Sequence, residues 1–392
     1  MSATVSIPAP GGDFARFLLH TGVFNFAANL AGVFFIAFML KQGVPPVAIF
    51  LSIAAIFALR FVMRPLVIVL AKGLGLRGAM AVGTVLSCTQ YYALAQLRGV
   101  DLWLVALVIT ISIGDVIYWT LFHVMFAAIG ARSKLGRATS LRQFVFAGAS
   151  ITAPPIGGLL LTWFDPSIAF AIAAVLRMAS VLPLLGVTDP PFPREPPAGA
   201  YRAGAFGAYI FMMDAWVICG AGTAWAMICF TGLGERFDTL GAALATASAF
   251  GAFGGFFIGK LVDLGHARRA VLINLSAGAA VLLFEATAGG RPALIVTAMI
   301  VSALVGGLAA PAVMPIVYSS VQTAPCPLRF QFSTEGGFDC GAVGASLAGA
   351  AVVWSGAPLW ATILMSIPAV FMQASLLIGK YKSRAQAFAA GN

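Results

Sequence analysis

Apolar residues run unbroken along most of this chain, in stretches of about 20 that end at short polar or glycine-bearing segments. Twelve runs are predicted, near 14–39, 45–70, 78–97, 102–129, 143–163 and 167–187, then 206–231, 239–262, 270–288, 293–321, 336–357 and 359–381. Each run can carry a helix across the hydrocarbon of a bilayer, where all backbone groups must bond within the segment. A membrane β-barrel would instead alternate polar and apolar positions over roughly 10-residue strands. One long polar stretch lies inside the chain: Asp189 to Gly204, reading DPPFPREPPAGAYRAG. Its proline density predicts a semi-extended linker. The organisation read from the pattern is a six-helix half over 1–188, a linker over 189–205 and a second six-helix half over 206–392.

Composition sharpens this. The chain is 60% hydrophobic and 9% charged, whereas a soluble domain covers itself with roughly 25% charged residues. Its net charge of +10 would suggest a nucleic-acid partner in a soluble protein. Here the basic residues fall in the short loops, so no nucleic-acid partner is expected and topology explains them. With the N-terminus inside, sixteen Lys and Arg lie in or beside the inner loops, and four, Lys41, Arg98, Arg236 and Arg291, lie outside. The positive-inside rule then puts both termini and the linker in the cytoplasm, in a bacterial-type inner membrane. An odd number of spans would scramble that asymmetry. The start, Met1 to Gly12, is polar, and the first run is long enough to remain as a span, so no cleaved leader is expected. The five cysteines form no CxxC pair and read as small apolar residues.

A weak internal repeat accompanies the two halves. Leu70–Arg77 (LAKGLGLR) follows the second run and Gly259–Arg269 (GKLVDLGHARR) follows the eighth; Tyr118 and Tyr318 match in the fourth and tenth runs. This arrangement resembles the major facilitator superfamily, whose loop signature is G-x-L-x-D-x-x-G-x-[RK]. Gly259, Leu261, Asp263 and Arg268 fit it, with Gly265 one place early. In the first half Leu70, Gly75 and Arg77 fit, while Lys72 stands where Asp is expected. The resemblance implies an all-α integral membrane protein, with twelve transmembrane helices in two six-helix halves around a central cavity. It also implies an inner gate built on these loops. Ala153-Pro154-Pro155-Ile156-Gly157-Gly158 in the fifth run resembles the G-P-x-x-G-G element of that superfamily's proton-driven exporters, with Ala153 in place of the first glycine.

Ionisable side chains at mid-membrane cost roughly 2.5–3.5 kcal/mol each on insertion scales, so they point to function. The candidates are Arg60 and Arg64 in the second run, Asp115 in the fourth, Arg177 in the sixth and Asp214 in the seventh. The resemblance puts Asp115 beside the solute path, and Tyr118, Trp119 and Phe122 follow at helical spacing. Two readings of Asp115 stand together: a proton or solute site, and an ion pair with Arg60 that ties two helices. Asn25 and Asn29 share a helical face and can hydrogen-bond a solute or a neighbouring helix. Arg142 and Glu335 open the fifth and eleventh runs and suggest a gate between halves. Arg177 reads as structural, Glu285 as interfacial, and His20 and His123 as core or interfacial. With three histidines and no paired spacing, no metal site and no cofactor are expected.

No phosphate-binding G-x-x-x-x-G-K-[ST] occurs, so ATP drive is not expected from this chain, and no cluster of His, Cys and carboxylates suggests an enzyme. The function read from the sequence is secondary transport of a small organic solute, coupled to protons and ahead in the export direction, by a monomer in lipid. Uptake of an organic anion, through Arg60, and a non-transporting assembly role are the alternatives.

Overall fold

In a computed structural model the backbone is described for residues 12–131, 135–263 and 267–390, and side chains for 12–130, 141–252, 271–306, 317 and 320–381. Twelve helices follow one another along the described residues. The first six are α1 Gly12–Lys41, α2 Pro46–Met63, α3 Pro65–Gln96, α4 Leu102–Ala131, α5 Leu135–Trp163 and α6 Pro166–Leu185. The second six are α7 Arg202–Gly232, α8 Phe237–Asp263, α9 Ala267–Thr287, α10 Pro292–Thr323, α11 Pro327–Trp354 and α12 Leu359–Tyr381. Nine of the described helices are long and apolar enough to cross a membrane, and Val271–Thr287 and Pro292–Gly306 add shorter apolar helices. The chain is a multi-pass membrane protein.

Local sequence sets the ends. Proline opens α2, α3, α6, α10 and α11, where its missing N–H costs nothing and its φ suits a first helical turn. The α3 segment is two helices merged across a break at Gly75, whose φ of 77° and ψ of 172° are non-helical. Residues 65–74 therefore prolong α2 beyond Arg64, and the turn predicted over Leu70–Arg77 is centred on Gly75. In the other direction the pattern fell short at α11. The run was placed at 336–357, but the helix begins at Pro327. Its first turns, PLRFQFSTE, are too polar to register as apolar. Glu335 and Asp339 consequently lie two to three turns inside the helix.

The start of α1, the linker and the end of α12 are separated by even numbers of helices and share one face, here the linker face, with the opposite surface the far face. The halves meet chiefly through two antiparallel helix pairs. Along α2 and α11, Phe50 lies against Gly349, Phe57 packs on Phe338 at 5.6 Å between ring centroids, and Phe61 lies over Gly336. Between α5 and α8, a Cβ added to Gly158 would stand 2.4 Å from the Phe237 carbonyl, and one on Gly241 would stand 2.4 Å from that of Pro154. Small residues thus let backbone touch backbone, the packing that holds helices together where lipid removes the hydrophobic driving force. Toward the far face the seam holds Phe237 edge-on to Phe34 at 6.0 Å, rimmed by an exposed Lys41–Glu235 pair at 3.7 Å and by the Asp238 N–H donating to Thr162 Oγ1 at 3.1 Å.

Candidate functional site

Four charged residues of the bundle converge on the α2–α11 contact. α2 supplies Arg60 and Arg64 one turn apart; α11 supplies Glu335 and Asp339 one turn apart, running the opposite way. Arg60 Nη2 lies 3.4 Å from Glu335 Oε2, and its Nε lies 3.3 Å from Asp339 Oδ1. Arg64 donates from Nη2 to Asp339 Oδ2 and, at 3.1 Å, to the Glu335 carbonyl. Its Nη1 donates to Thr120 Oγ1 on α4 at 3.0 Å. His123, one turn further along α4, sets Nε2 3.5 Å from Glu335 Oε1. Arg60, Arg64, Glu335 and Asp339 are all at most 4% exposed.

The two arginines are held differently. Arg64 is fixed by a side chain on each of two helices and by a backbone carbonyl. Arg60 has only the longer carboxylate contacts and a place over the Phe57 ring at 4.8 Å. Two positive and two negative charges balance, and removing one from such a buried set leaves the others uncompensated.

The ion pair expected between Arg60 and Asp115 is absent. Arg60 turns instead to α11, in the other half of the chain, and Asp115 takes part in no hydrogen bond or ion pair among the described residues. Tyr118, expected near the solute, is a core residue: it is 1% exposed and stacks on Phe24 of α1 at 3.7 Å. Trp119 is half-buried beside it. Asn25 and Asn29 are half-buried on α1, with Asn29 Nδ2 bonding the Asn25 carbonyl at 2.8 Å, so part of their polarity is absorbed by their own helix.

One turn after Ile210, whose carbonyl accepts from Gln373 Nε2 of α12 at 3.2 Å, Asp214 is half-buried on α7. Directly after it, Val217–Ala221 forms a five-residue π turn, a distortion that recurs at functional sites. Arg142 does not pair with Glu335; its guanidinium lies among the Phe122, Phe126 and Phe146 rings at 5.8, 4.9 and 5.4 Å. Glu335 is buried inside α11 and finds Arg60 and His123 instead. Arg177 lies 4.1 Å over the Phe24 ring and donates to the Ser87 carbonyl at 3.4 Å, tying α6 to α1 and α3. Glu285, two residues from the end of α9, is 4% exposed. The side chains of Gly259, Asp263, Arg268 and Tyr318 lie outside the described residues.

The first-half loop is described, and the linker enters it. Asp189 Oδ1 accepts the Arg77 backbone N–H at 3.0 Å, and Arg77 Nη1 donates to the Leu185 and Val187 carbonyls at 2.9 Å each. Lys72, where an acid was expected, pairs with Glu195 of the linker at 3.3 Å, a largely solvated contact. From the other half Arg329, 1% exposed, donates to the carbonyls of Pro193 at 2.7 Å and Arg194 at 2.6 Å. The predicted spacer is therefore stitched to both halves.

Two sets of six apolar helices, meeting through antiparallel helix pairs with charges buried between them, define a polytopic carrier-type membrane protein. Residues 17–326 match the Major Facilitator Superfamily, and the chain belongs to that family. It is a membrane transporter of that fold. Among solved structures, the human organic anion transporter MFSD10 (TETRAN) superposes with a TM-score of 0.62 at 14% identity, covering 94% of this chain and 100% of that one. The nucleoside transporter NupG gives 0.62 at 12% identity over 95% and 99%. A variant of the E. coli fucose:proton symporter FucP gives 0.64 at 12% identity over 94% and 98%. At such identities these likenesses speak to the fold alone. No curated protein matches the chain.

Proposed function

We propose that this protein is a secondary active transporter that carries a small organic solute by alternating access and is driven by protons. The observation that supports it is the buried ion cluster of Arg60, Arg64, Glu335, Asp339 and His123 across the two halves. A neutral, dry set of charges between two rigid bodies is a two-state contact. It holds while the bodies are together and must be hydrated or re-paired when they part. Asp115 and Asp214 are the proposed coupling and solute groups, with Asn25, Asn29 and Trp119 as further polar contacts. The linker face is placed in the cytoplasm of an inner membrane on the strength of the sixteen-to-four charge asymmetry. Export is favoured over uptake by the Ala153–Gly158 element, whose Gly158 meets the second half directly.

The solutes printed for the structural neighbours, an organic anion, a nucleoside and fucose, differ too much to choose one here. The test is a proteoliposome assay under an imposed pH gradient, screened over anionic, cationic and neutral organic solutes. Gradient-driven flux of one class is expected, and Asp115→Asn is expected to abolish it while the protein stays folded and inserted. Flux at wild-type rate in Asp115→Asn removes Asp115 from the mechanism, and no flux for any class under either gradient removes the transport reading.

A further inference from the structure

The geometry points to Arg60 as a switching residue that exchanges partners: Glu335 and Asp339 across the halves when the linker face is closed, Asp115 within its own half when that face opens. This inference deepens the reading above and rests on it for its biological meaning.

Four observations carry it. First, α2 and α4 run in the same direction and are pinned in register at two places. Ser112 Oγ donates to the Ile56 carbonyl at 3.0 Å, and Arg64 donates to Thr120 at 3.0 Å, each pair 56 residues apart. That register sets residues 115 and 116 level with Arg60, between the two pins. Second, Asp115 lies on the stripe of α4 that carries Ser112, Trp119 and His123, the last of which reaches Glu335 of the cluster, so position 115 shares both the depth of Arg60 and a helix face turned to the cluster. Third, Arg60 is the loosely held cation of the cluster and Arg64 the firmly held one. If the halves part, Arg64 keeps Thr120 on α4, but Arg60 loses every carboxylate it now touches. Fourth, the half-buried Asp115 carboxylate makes no hydrogen bond or ion pair among the described residues. One guanidinium stands between two acceptor sets on different rigid bodies, and it cannot serve both at these distances.

The charges around the exchange are Arg60 and Arg64 on α2, Asp115 and His123 on α4, Arg177 on α6, Asp214 on α7, and Glu335 and Asp339 on α11. While Asp115 carries a proton it offers Arg60 no countercharge, and the cross-half pairs stand. When Asp115 loses its proton to water on the linker side, Arg60 gains a competing partner. A guanidinium set on a carboxylate favours the charged form of that carboxylate. By linkage, the closed-linker-face state then takes up the proton and the open-linker-face state releases it. The proton thus enters from the far face and leaves at the linker face, and the conformational change is tied to one side chain.

The test measures the opening of the linker face directly. Spin labels are placed at Leu74→Cys and Gly379→Cys, exposed positions at the linker-face ends of the two halves, with the exposed Cys340 replaced by Ser. A side chain added at Gly379 meets nothing within 4 Å. In lipid nanodiscs the open-to-closed ratio of wild type is expected to rise roughly tenfold between about pH 5 and about pH 8. Asp115→Asn is expected to hold the closed ratio at both pH values, Asp115→Glu to restore the shift, and Arg60→Gln to abolish the shift with the open form populated throughout. The proposal is overturned if Asp115→Asn, eluting as a single species with wild-type helix content, keeps the full pH shift, or if wild type shows none. Flux is measured on the same proteins. A pH-dependent distance without gradient-driven flux removes the proposed transport function and leaves the exchange standing, so the two failures are separable.

Discussion

Asp189 sits on Gly75. Its carboxylate caps the helix that restarts at Leu76, accepting the Arg77 amide at 3.0 Å, in the space a side chain at position 75 would occupy. A Cβ there would fall 1.8 Å from Asp189 Oδ2, and the backbone φ of +77° already belongs to the region glycine favours. Gly75→Ala therefore meets both strain and a clash. The expected cost is about 1–2 kcal/mol for the backbone alone, with the cap lost as Asp189 is displaced. A lower unfolding temperature in detergent, matched by Asp189→Ala but not additive with it, is the measurement that checks this.

Arg329 holds the linker by its bare carbonyls, not by a side-chain pair, so the bond is indifferent to linker sequence and sensitive to the donor. Replacing Arg329 by Ala removes both hydrogen bonds at Pro193 and Arg194. The segment then opens locally without global unfolding. Trypsin cleavage after Arg194 or Arg202 is expected to quicken by roughly fivefold or more in Arg329→Ala. An unchanged nicking rate would mean that Phe192, packed against the first-half core, anchors the linker instead.

The helices, the interruption at 189–204 and the turn at Gly75 were legible because each follows from local physics: lipid-length apolar runs, proline density, and a glycine where the chain reverses. The site was legible in its membership and not in its pairing. Arg60, Arg64 and Asp115 stand out as charges inside apolar runs and Glu335 as one opening a run, but which of them meet depends on packing between segments 275 residues apart. Proximity in sequence order favoured Asp115; the antiparallel register of α2 on α11 gave Arg60 to the second half. Glu335 was put at a helix start because a hydropathy window reads PLRFQFSTE as loop, when its polarity is that of a helix buried in protein and not facing lipid. Arg142 followed the same logic and was drawn toward Phe122 and Phe126 by three rings no linear pattern could bring together.

Closure toward the far face depends on Gly158 and Gly241, whose neighbours across the seam are backbone atoms that cannot move aside. Valine at either position wedges α5 from α8. Gly158→Val is expected to keep the protein folded yet lower any transport cycle at least about tenfold, with far-face positions such as Phe237→Cys becoming accessible to a water-soluble thiol reagent. Gly148→Val, where an added Cβ meets nothing within 4 Å, is the matched control and should behave as wild type.

Outside the membrane segments, Asp165 caps α6 by accepting the Ser167 amide at 2.8 Å, and hydrogen bonds from the Ser167 side chain and backbone hold its carboxyl below the usual carboxylate range. A lowered folded-state value means that the cap contributes fully above the unfolded-state value and is lost as pH falls through the lower one. Wild type should therefore lose thermal stability between about pH 5 and about pH 3 by more than Asp165→Asn, which keeps the acceptor oxygen without the titration. Equal acid sensitivity of the two proteins would remove Asp165 from the pH response.

Arg64 and Arg60 differ by one helical turn and should differ sharply in what their loss does. Arg64 is 1% exposed and bonds Asp339, the Glu335 carbonyl and Thr120, so Arg64→Ala strands a buried carboxylate and two further acceptors. Breaking a buried pair in this way costs about 3–5 kcal/mol, and the expected result is low yield or a strongly lowered unfolding temperature. The companion change Asp339→Asn should recover part of that loss, because it removes the uncompensated charge that the first substitution leaves. Arg60→Ala removes only the looser contacts and is expected to fold. A double-mutant cycle on Arg64 and Asp339 measures the difference: coupling no greater than that of Arg60 with Asp339 would mean that the two arginines share the load equally, and the division into a fixed and a switching cation would be lost.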